Sequence, residues 1–336
     1  MLGIAVLGAG RISRIHAANV AANPRAKLVL IADPWRAGVD ELTTALGCEA
    51  VYDYAAALAR DDIDAVIIGT ATDTHVDLLL SAVANGKAVL CEKPIDLAID
   101  KARYAVTEVE RLSGRVMLGF NRRFDPDTLQ LQQAIQAGQI GAVRQVIITS
   151  RDSALAPRDY LAHSGGILRD MVIHDFDTAR YLLGEEPTQV FAMASRLVDP
   201  TLEQIDDYDS VMVLLKTASG KQCHINACRE AVYGYDQRIE VSGALGVLLN
   251  DNQRSTGVRH WSALQTEARG PLLNFFLERY ALAYRLELDH FIDAVAKSAP
   301  MPTTARDGWS ALNLAECAMA SLQCGRMVDV AEFAAR

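Results

Sequence analysis

The run Gly8-Ala9-Gly10-Arg11-Ile12-Ser13 constrains this chain more than any other feature. It follows a short apolar stretch, Gly3 to Leu7, that reads as a strand, and it opens a helical pattern from Arg11 to Ala22. The first glycine of such a turn permits the tight reversal, and the second lets backbone approach a pyrophosphate. The unpaired N–H groups and the dipole of the helix then attract phosphate charge. Ser13 occupies the place of the usual third glycine, whose task is close helix–strand packing, and serine is small enough for it. Asp33, 23 residues past Gly10 at the end of a second strand from Leu28 to Ala32, strengthens the pattern. A carboxylate there accepts from ribose hydroxyls and repels a 2′-phosphate, so NAD is expected rather than NADP. The alternatives are that Asp33 only caps the helix after Pro34, and that Arg36 admits NADP.

The first 120 residues continue this alternation. Ala65 to Gly69 is an apolar run suited to a strand buried on both faces. Val76 to Ala84 is helical and closed by Asn85-Gly86, Ala88 to Cys91 is another strand, and Val116 to Phe120 ends the series. The predicted fold class is α/β, with an amino-terminal Rossmann doubly wound parallel sheet over 1–120. Beyond it, Asp127 to Ala137 is helical. Strands then dominate: Val143 to Ser150, Gln189 to Ser195, Ser210 to Lys216, Lys221 to Cys228, Gln237 to Ser242 and Val247 to Asn250. Their short connections favour antiparallel pairing. The second domain, 121–304, is therefore expected to be α+β, an open, mostly antiparallel sheet that binds substrate and mediates oligomerisation. Phe275 to Lys297 and Gly308 to Arg326 read as helices, and the helix over 305–326 is expected to pack back on the first domain.

Charge removes whole classes of partner. A net charge of −9 argues against nucleic acid, and there is no polybasic cluster for an anionic membrane. No apolar run reaches the roughly 18 residues that span a bilayer. Met1 leads directly into a strand rather than a signal-like segment, so a cytoplasmic location is expected. The six cysteines form no C-x-x-C pair. A metal site at Cys223, His224 and Cys228 is rejected, because strand alternation puts Cys223 and His224 on opposite faces. No metal is expected.

Two further segments carry chemistry. Cys91-Glu92-Lys93-Pro94 follows a strand carboxyl end, the edge of an α/β sheet where ligands sit. A lysine there can donate to a substrate oxygen, although a lone lysine is ordinarily a solvated one. The second segment is Gly165-Gly166-Ile167-Leu168-Arg169-Asp170-Met171-Val172-Ile173-His174. On a continuous helix Asp170 and His174 share a face at i and i+4. A carboxylate that orients an imidazole makes a general base for an alcohol losing its proton as hydride departs. A local helix pair and a core histidine are the plainer alternatives.

Taken together, Gly-Ala-Gly-Arg at 8–11, Glu92-Lys93-Pro94 and the Gly-Gly-x-x-x-Asp-x-x-x-His run resemble the glucose–fructose oxidoreductase / inositol dehydrogenase / rhizopine-catabolism (Gfo/Idh/MocA) family over essentially the whole chain. Asn121-Arg122-Arg123-Phe124-Asp125, Ser150-Arg151-Asp152 and Tyr233-Gly234-Tyr235-Asp236 are most similar to its bacterial inositol 2-dehydrogenase branch. The resemblance implies NAD-dependent oxidation of a secondary alcohol of a cyclic polyol, myo-inositol to 2-keto-myo-inositol. Another inositol isomer or a hexose, and a non-catalytic regulator, are the alternatives. It implies Lys93, Asp170 and His174 as the catalytic trio. The cofactor would lie against Gly8, Gly10, Arg11, Ile12, Asp33, Thr70, Thr72, His75, Glu92 and Lys93. Arg123, Asp152, Asp170, His174, Tyr233 and Tyr284 would bind substrate. The family also implies a homo-oligomer, a dimer or tetramer built through the exposed sheet face of the second domain. Tyr235, and Ser153-Ala154-Leu155 after Asp152, depart from the pattern associated with myo-inositol.

Overall fold

The computed structural model describes residues 1–334. By contacts the chain divides into two units, one of residues 1–124 and 283–312, the other of 125–282 and 313–336 as far as described. The first unit runs β1 (Leu2–Leu7), α1 (Arg11–Ala22), β2 (Ala26–Ala32), α2 (Arg36–Leu46), β3 (Glu49–Val51), α3 (Tyr54–Leu58), β4 (Ala65–Ile68), α4 (His75–Ala84), β5 (Ala88–Glu92), α5 (Ile99–Arg111) and β6 (Val116–Gly119). Its six strands are all parallel in the order β3-β2-β1-β4-β5-β6. That is the doubly wound order, with its topological switch between β1 and β4. The apolar run of β4 is buried along its whole length, as a central parallel strand requires. Helix α1 buries Ser13, His16, Ala17 and Val20, the i, i+3, i+4, i+7 stripe of a helix lying on a sheet.

The second unit begins with α6 (Pro126–Gln136), whose first residue is a proline suited to that place. It continues with β7 (Val143–Arg151), α7 (Arg158–His163), α8 (Gly166–Asp170), α9 (Ile173–Leu183), β8 (Pro187–Ser195), β9 (Ser210–Thr217), β10 (Gln222–Cys228), β11 (Asp236–Gly243), β12 (Val247–Leu249), a small hairpin of β13 (Arg259–His260) and β14 (Ala268–Arg269), and α10 (Phe276–Arg279). Then come α11 (Ala281–Lys297), mostly in the first unit, α12 (Ala305–Cys324), whose residues are shared between the two, and β15 (Val328–Asp329) with α13 (Val330–Ala334) in the second. The seven-stranded sheet has the order β12-β11-β7-β10-β9-β8-β15. It is antiparallel except between β7 and β10, which run parallel with Gln145 opposite Gln222. One face buries Val146, Ile148, Val213, Leu215, Ile225 and Val241, and α9 lies against β7 and β10 with Phe176 buried. The other face leaves Ile147, Met193, Met212, Leu214 and Leu249 exposed.

Two helical stretches are interrupted. The segment from Phe275 to Lys297 breaks at Tyr280, between α10 and α11. There Arg279 forms a buried ion pair with Asp125 at 2.6 Å, and the Tyr280 hydroxyl donates to Gln237 at 3.4 Å. The Asp170–His174 segment also breaks. Asp170 ends α8, His174 lies in the first turn of α9, and the Val172 N–H reaches back five residues to the Ile167 carbonyl at 2.9 Å. Such π-type widening recurs at functional sites.

Candidate active site

In the first unit the glycine turn has the shape a dinucleotide needs. Gly8 has φ +107°, and a Cβ on it would lie 2.7 Å from Ser13 Oγ and 2.8 Å from the Gly69 carbonyl oxygen. A Cβ on Gly10 would meet no protein atom within 4 Å. The first glycine is thus demanded by the protein's own packing, and the second leaves open space at the amino end of α1. That end carries no side-chain cap. Ser13 does more than fit: its hydroxyl donates to the Gly69 carbonyl at 2.9 Å and ties α1 to the end of β4. Asp33 accepts from the Ala9 N–H at 2.9 Å and the Trp35 N–H at 2.8 Å, so its carboxylate borders the turn while also shaping the entry to α2. Burial, with the charge of Asp33 beside it, pushes the Tyr54 phenol up to about 12. The Arg36 guanidinium lies 4.1 Å from the Tyr52 ring centroid, already engaged with an aromatic face. These features fit a dinucleotide with free ribose hydroxyls.

The loops after β4 and β5 are joined by His75. Its Nδ1 lies 2.8 Å from the Pro94 carbonyl oxygen and its Nε2 3.2 Å from that of Thr70. Burial pushes its pKa down, and a neutral ring donates through one nitrogen only. It can therefore donate to only one of these two carbonyls at a time. The Thr70 and Thr74 hydroxyls are 2.6 Å apart, and Thr72 begins the short 3-10 turn that leads into α4. Arg11 is exposed and Ile12 half-buried at the start of α1, while Lys93 is half-buried after β5, joined to Pro94 by a cis peptide bond. The buried Glu92 pairs with His16 Nε2 at 2.8 Å. Two residues expected to touch substrate also belong to this unit. Arg123 is held by Asp307 at 2.9 Å, and Tyr284 is buried with its ring edge-on to His16 at 5.7 Å.

Glu287 was not read from sequence, and nothing in its helical pattern distinguishes it from a solvated residue. Its side chain is fully buried, and neither carboxylate oxygen has a hydrogen-bond partner. Burial, followed by the nearby charge of Glu92, pushes this acid well above its ordinary 4.5. Below that value folded and unfolded chains both carry the proton. Above it the folded chain keeps a proton that the unfolded chain has released. Stability is then lost as pH rises toward the folded pKa, by about 1.4 kcal/mol per pH unit. Glu287→Gln removes the titration while keeping the shape. Its melting temperature is expected to exceed that of the parent by a margin that widens as pH rises above the ordinary carboxylate range. A margin independent of pH would contradict the assignment.

In the second unit Asp152, Asp170 and His174 are all half-buried, whereas Tyr233 is about half exposed. Tyr233 donates to Asp236 at 2.7 Å and accepts from Arg151 at 2.8 Å, and so bridges β7 and β11. The backbone N–H of Asp152 extends the β7–β10 pairing, donating to the Cys228 carbonyl at 2.9 Å. Asp170 takes a hydrogen bond from the Tyr160 hydroxyl at 2.8 Å and pairs with the Arg229 guanidinium at 3.4 Å. Neither partner was anticipated. Arg229 follows a strand of ordinary alternation and reads in sequence as a solvated charge.

The chain matches two family models, the oxidoreductase family with an NAD-binding Rossmann fold over residues 2–120 and the GFO/IDH/MocA C-terminal domain over residues 128–249. It is 47% identical over 326 residues to the inositol 2-dehydrogenase of Rhizobium meliloti strain 1021, covering 97% of this chain and 98% of that one. The crystal structure of a myo-inositol dehydrogenase from Corynebacterium glutamicum superposes with a TM-score of 0.94 at 45% identity, over 98% of each chain. The myo-inositol dehydrogenase of Lactobacillus casei, solved in complex with NAD(H) and myo-inositol, superposes with a TM-score of 0.86 at 25% identity, over 98% of this chain and 96% of that one.

Proposed function

The chain belongs to the GFO/IDH/MocA oxidoreductase family, and from that premise we infer that it is an NAD-dependent dehydrogenase oxidising myo-inositol at C2 to 2-keto-myo-inositol. The observation that carries the reading is likeness along almost the entire chain to inositol 2-dehydrogenases, one of them solved with NAD(H) and myo-inositol bound.

When bound, NAD supplies the hydride acceptor at C4 of its nicotinamide. The Gly8–Gly10 turn and the uncapped end of α1 hold its pyrophosphate, and Asp33 accepts from its ribose hydroxyls. Arg11, Ile12, Thr70, Thr72, His75, Glu92 and Lys93 complete the cofactor contacts. His174 takes the hydroxyl proton as the carbon–hydrogen bond breaks with its electron pair and the carbonyl forms. Asp170 orients the imidazole and stabilises it when charged, and Lys93 donates to the reacting oxygen. Arg123, Asp152 and Tyr233 pair with the remaining hydroxyls, each of which is costly to bury unpaired. Tyr284, whose ring packs edge-on to His16, completes the substrate contacts.

Copies of the chain associate through the outer face of the seven-stranded sheet. Met193 stands opposite Met212, and Leu214 and Ile147 flank His224, so the exposed apolar side chains gather on one face of the sheet. The mass in solution reads this directly. A cytoplasmic location is proposed with it. Among the described residues no helix is long and apolar enough to cross a membrane.

The substrate assignment is tested by offering myo-inositol, scyllo-inositol and glucose separately with NAD and following the absorbance of reduced cofactor. The highest kcat/KM is expected on myo-inositol. Turnover of glucose with none on either inositol overturns the assignment.

A further inference from the structure

On the reading above, Asp170 orients His174, and the structure shows what orients Asp170. The Tyr160 hydroxyl, on α7, donates to its Oδ1 at 2.8 Å. Arg229, at the end of β10, donates from Nη1 to its Oδ2 at 3.4 Å and from Nη2 to Asp207 Oδ2 at 3.3 Å. Asp207 Oδ1 in turn accepts from the Ile167 N–H at 2.8 Å, in the first turn of the helix that ends in Asp170. The contacts close a ring: α8 carries Asp170, Asp170 meets Arg229, Arg229 meets Asp207, and Asp207 holds the start of α8. Gly166 allows the approach, since its φ is +83° and a Cβ there would sit 3.0 Å from Asp207 Oδ1.

Arg229 is among the largest fully buried side chains. A buried arginine between aspartates is a poor device for stability, because desolvation cancels much of the attraction. Fixing a working carboxylate explains it better. Tyr160 differs in being about half exposed, with only its hydroxyl turned to Asp170. Burial and the charge of Asp170 push its phenol up, so it remains a donor through the neutral range.

We propose that Tyr160 and Arg229 are positioning residues, one on each oxygen of Asp170, that set the orientation in which this carboxylate serves His174. The proposal rests on the role given to Asp170 above. It makes proton transfer, and not cofactor binding, sensitive to a tyrosine hydroxyl that the fold does not need.

The test is a double-mutant cycle in the full-length chain with Tyr160→Phe, Asp170→Asn and both together. It reads kcat and KM for myo-inositol, calorimetric NAD binding and the melting temperature. Tyr160→Phe is expected to lower kcat about tenfold, with NAD affinity and melting temperature unchanged. In the Asp170→Asn background the same change should alter kcat less than about twofold, because Tyr160 acts only through Asp170. Arg229→Lys, which keeps the charge but spans fewer partners, should fall between the parent and Asp170→Asn. If Asp170→Asn is slow while Tyr160→Phe runs at the parent rate, or the two losses multiply, the positioning role is wrong. If Asp170→Asn itself keeps full turnover, the role of Asp170 fails and takes the proposal with it.

Discussion

His174→Ala is expected to lower kcat by about a thousandfold while the protein binds NAD as tightly as before. General-base catalysis by a placed imidazole contributes about 10² to 10⁴ in rate, and an alcohol at neutral pH has no other ready proton acceptor. The variant leaves every residue of the glycine turn unchanged. Lys93→Met should show a loss of similar size, since the developing charge on the reacting oxygen then lacks its donor. Lys93 is half-buried at the end of β5, so folding should tolerate the change. The checks are steady-state kinetics with myo-inositol and calorimetric titration with NAD. Full turnover in either variant would remove that residue from the mechanism. Loss of NAD affinity in His174→Ala would assign the histidine to the cofactor instead.

Gly10→Ala is expected to weaken NAD binding at least about tenfold, some 1.4 kcal/mol, with no fall in melting temperature. The added methyl meets no protein atom within 4 Å, and the backbone of Gly10 is extended, at φ −75° and ψ −172°, where alanine is at ease. Its only opponent is a pyrophosphate drawn against the turn. Gly8→Ala makes the contrast. There φ is +107° and the methyl would strike Ser13 and Gly69, so the expected result is a less stable protein. Thermal denaturation together with NAD titration separates the two. A Gly10→Ala protein that binds NAD normally would move the phosphates away from this turn.

The first unit was legible because its signals are local. Gly8, Gly10 and Asp33 act through turn geometry within one β-α-β segment, and β4 declares itself by being apolar on both faces. Pairing between distant segments was not legible. Parallel contact of β7 with β10 depends on which strands meet, and alternation within each strand is the same either way. The break after Asp170 escaped for a related reason: Met171 and Val172 keep right-handed helical backbone angles, and only the hydrogen-bond ladder changes. Resemblance supplied Lys93, Asp170 and His174, but it could not supply the residues that hold them. Arg229 and Glu287 look like surface charges in a linear chain, and their meaning comes from burial. Ser13 is the reverse case. A departure from the glycine fingerprint turned out to be a hydrogen bond that locks α1 to β4.

The most direct test is to follow the hydride. The purified protein is incubated with NAD and myo-inositol carrying deuterium at C2, and the reduced cofactor is isolated. The account requires deuterium on C4 of the nicotinamide, with 2-keto-myo-inositol as the partner product. Reduced cofactor free of deuterium, or none formed at all, would contradict it.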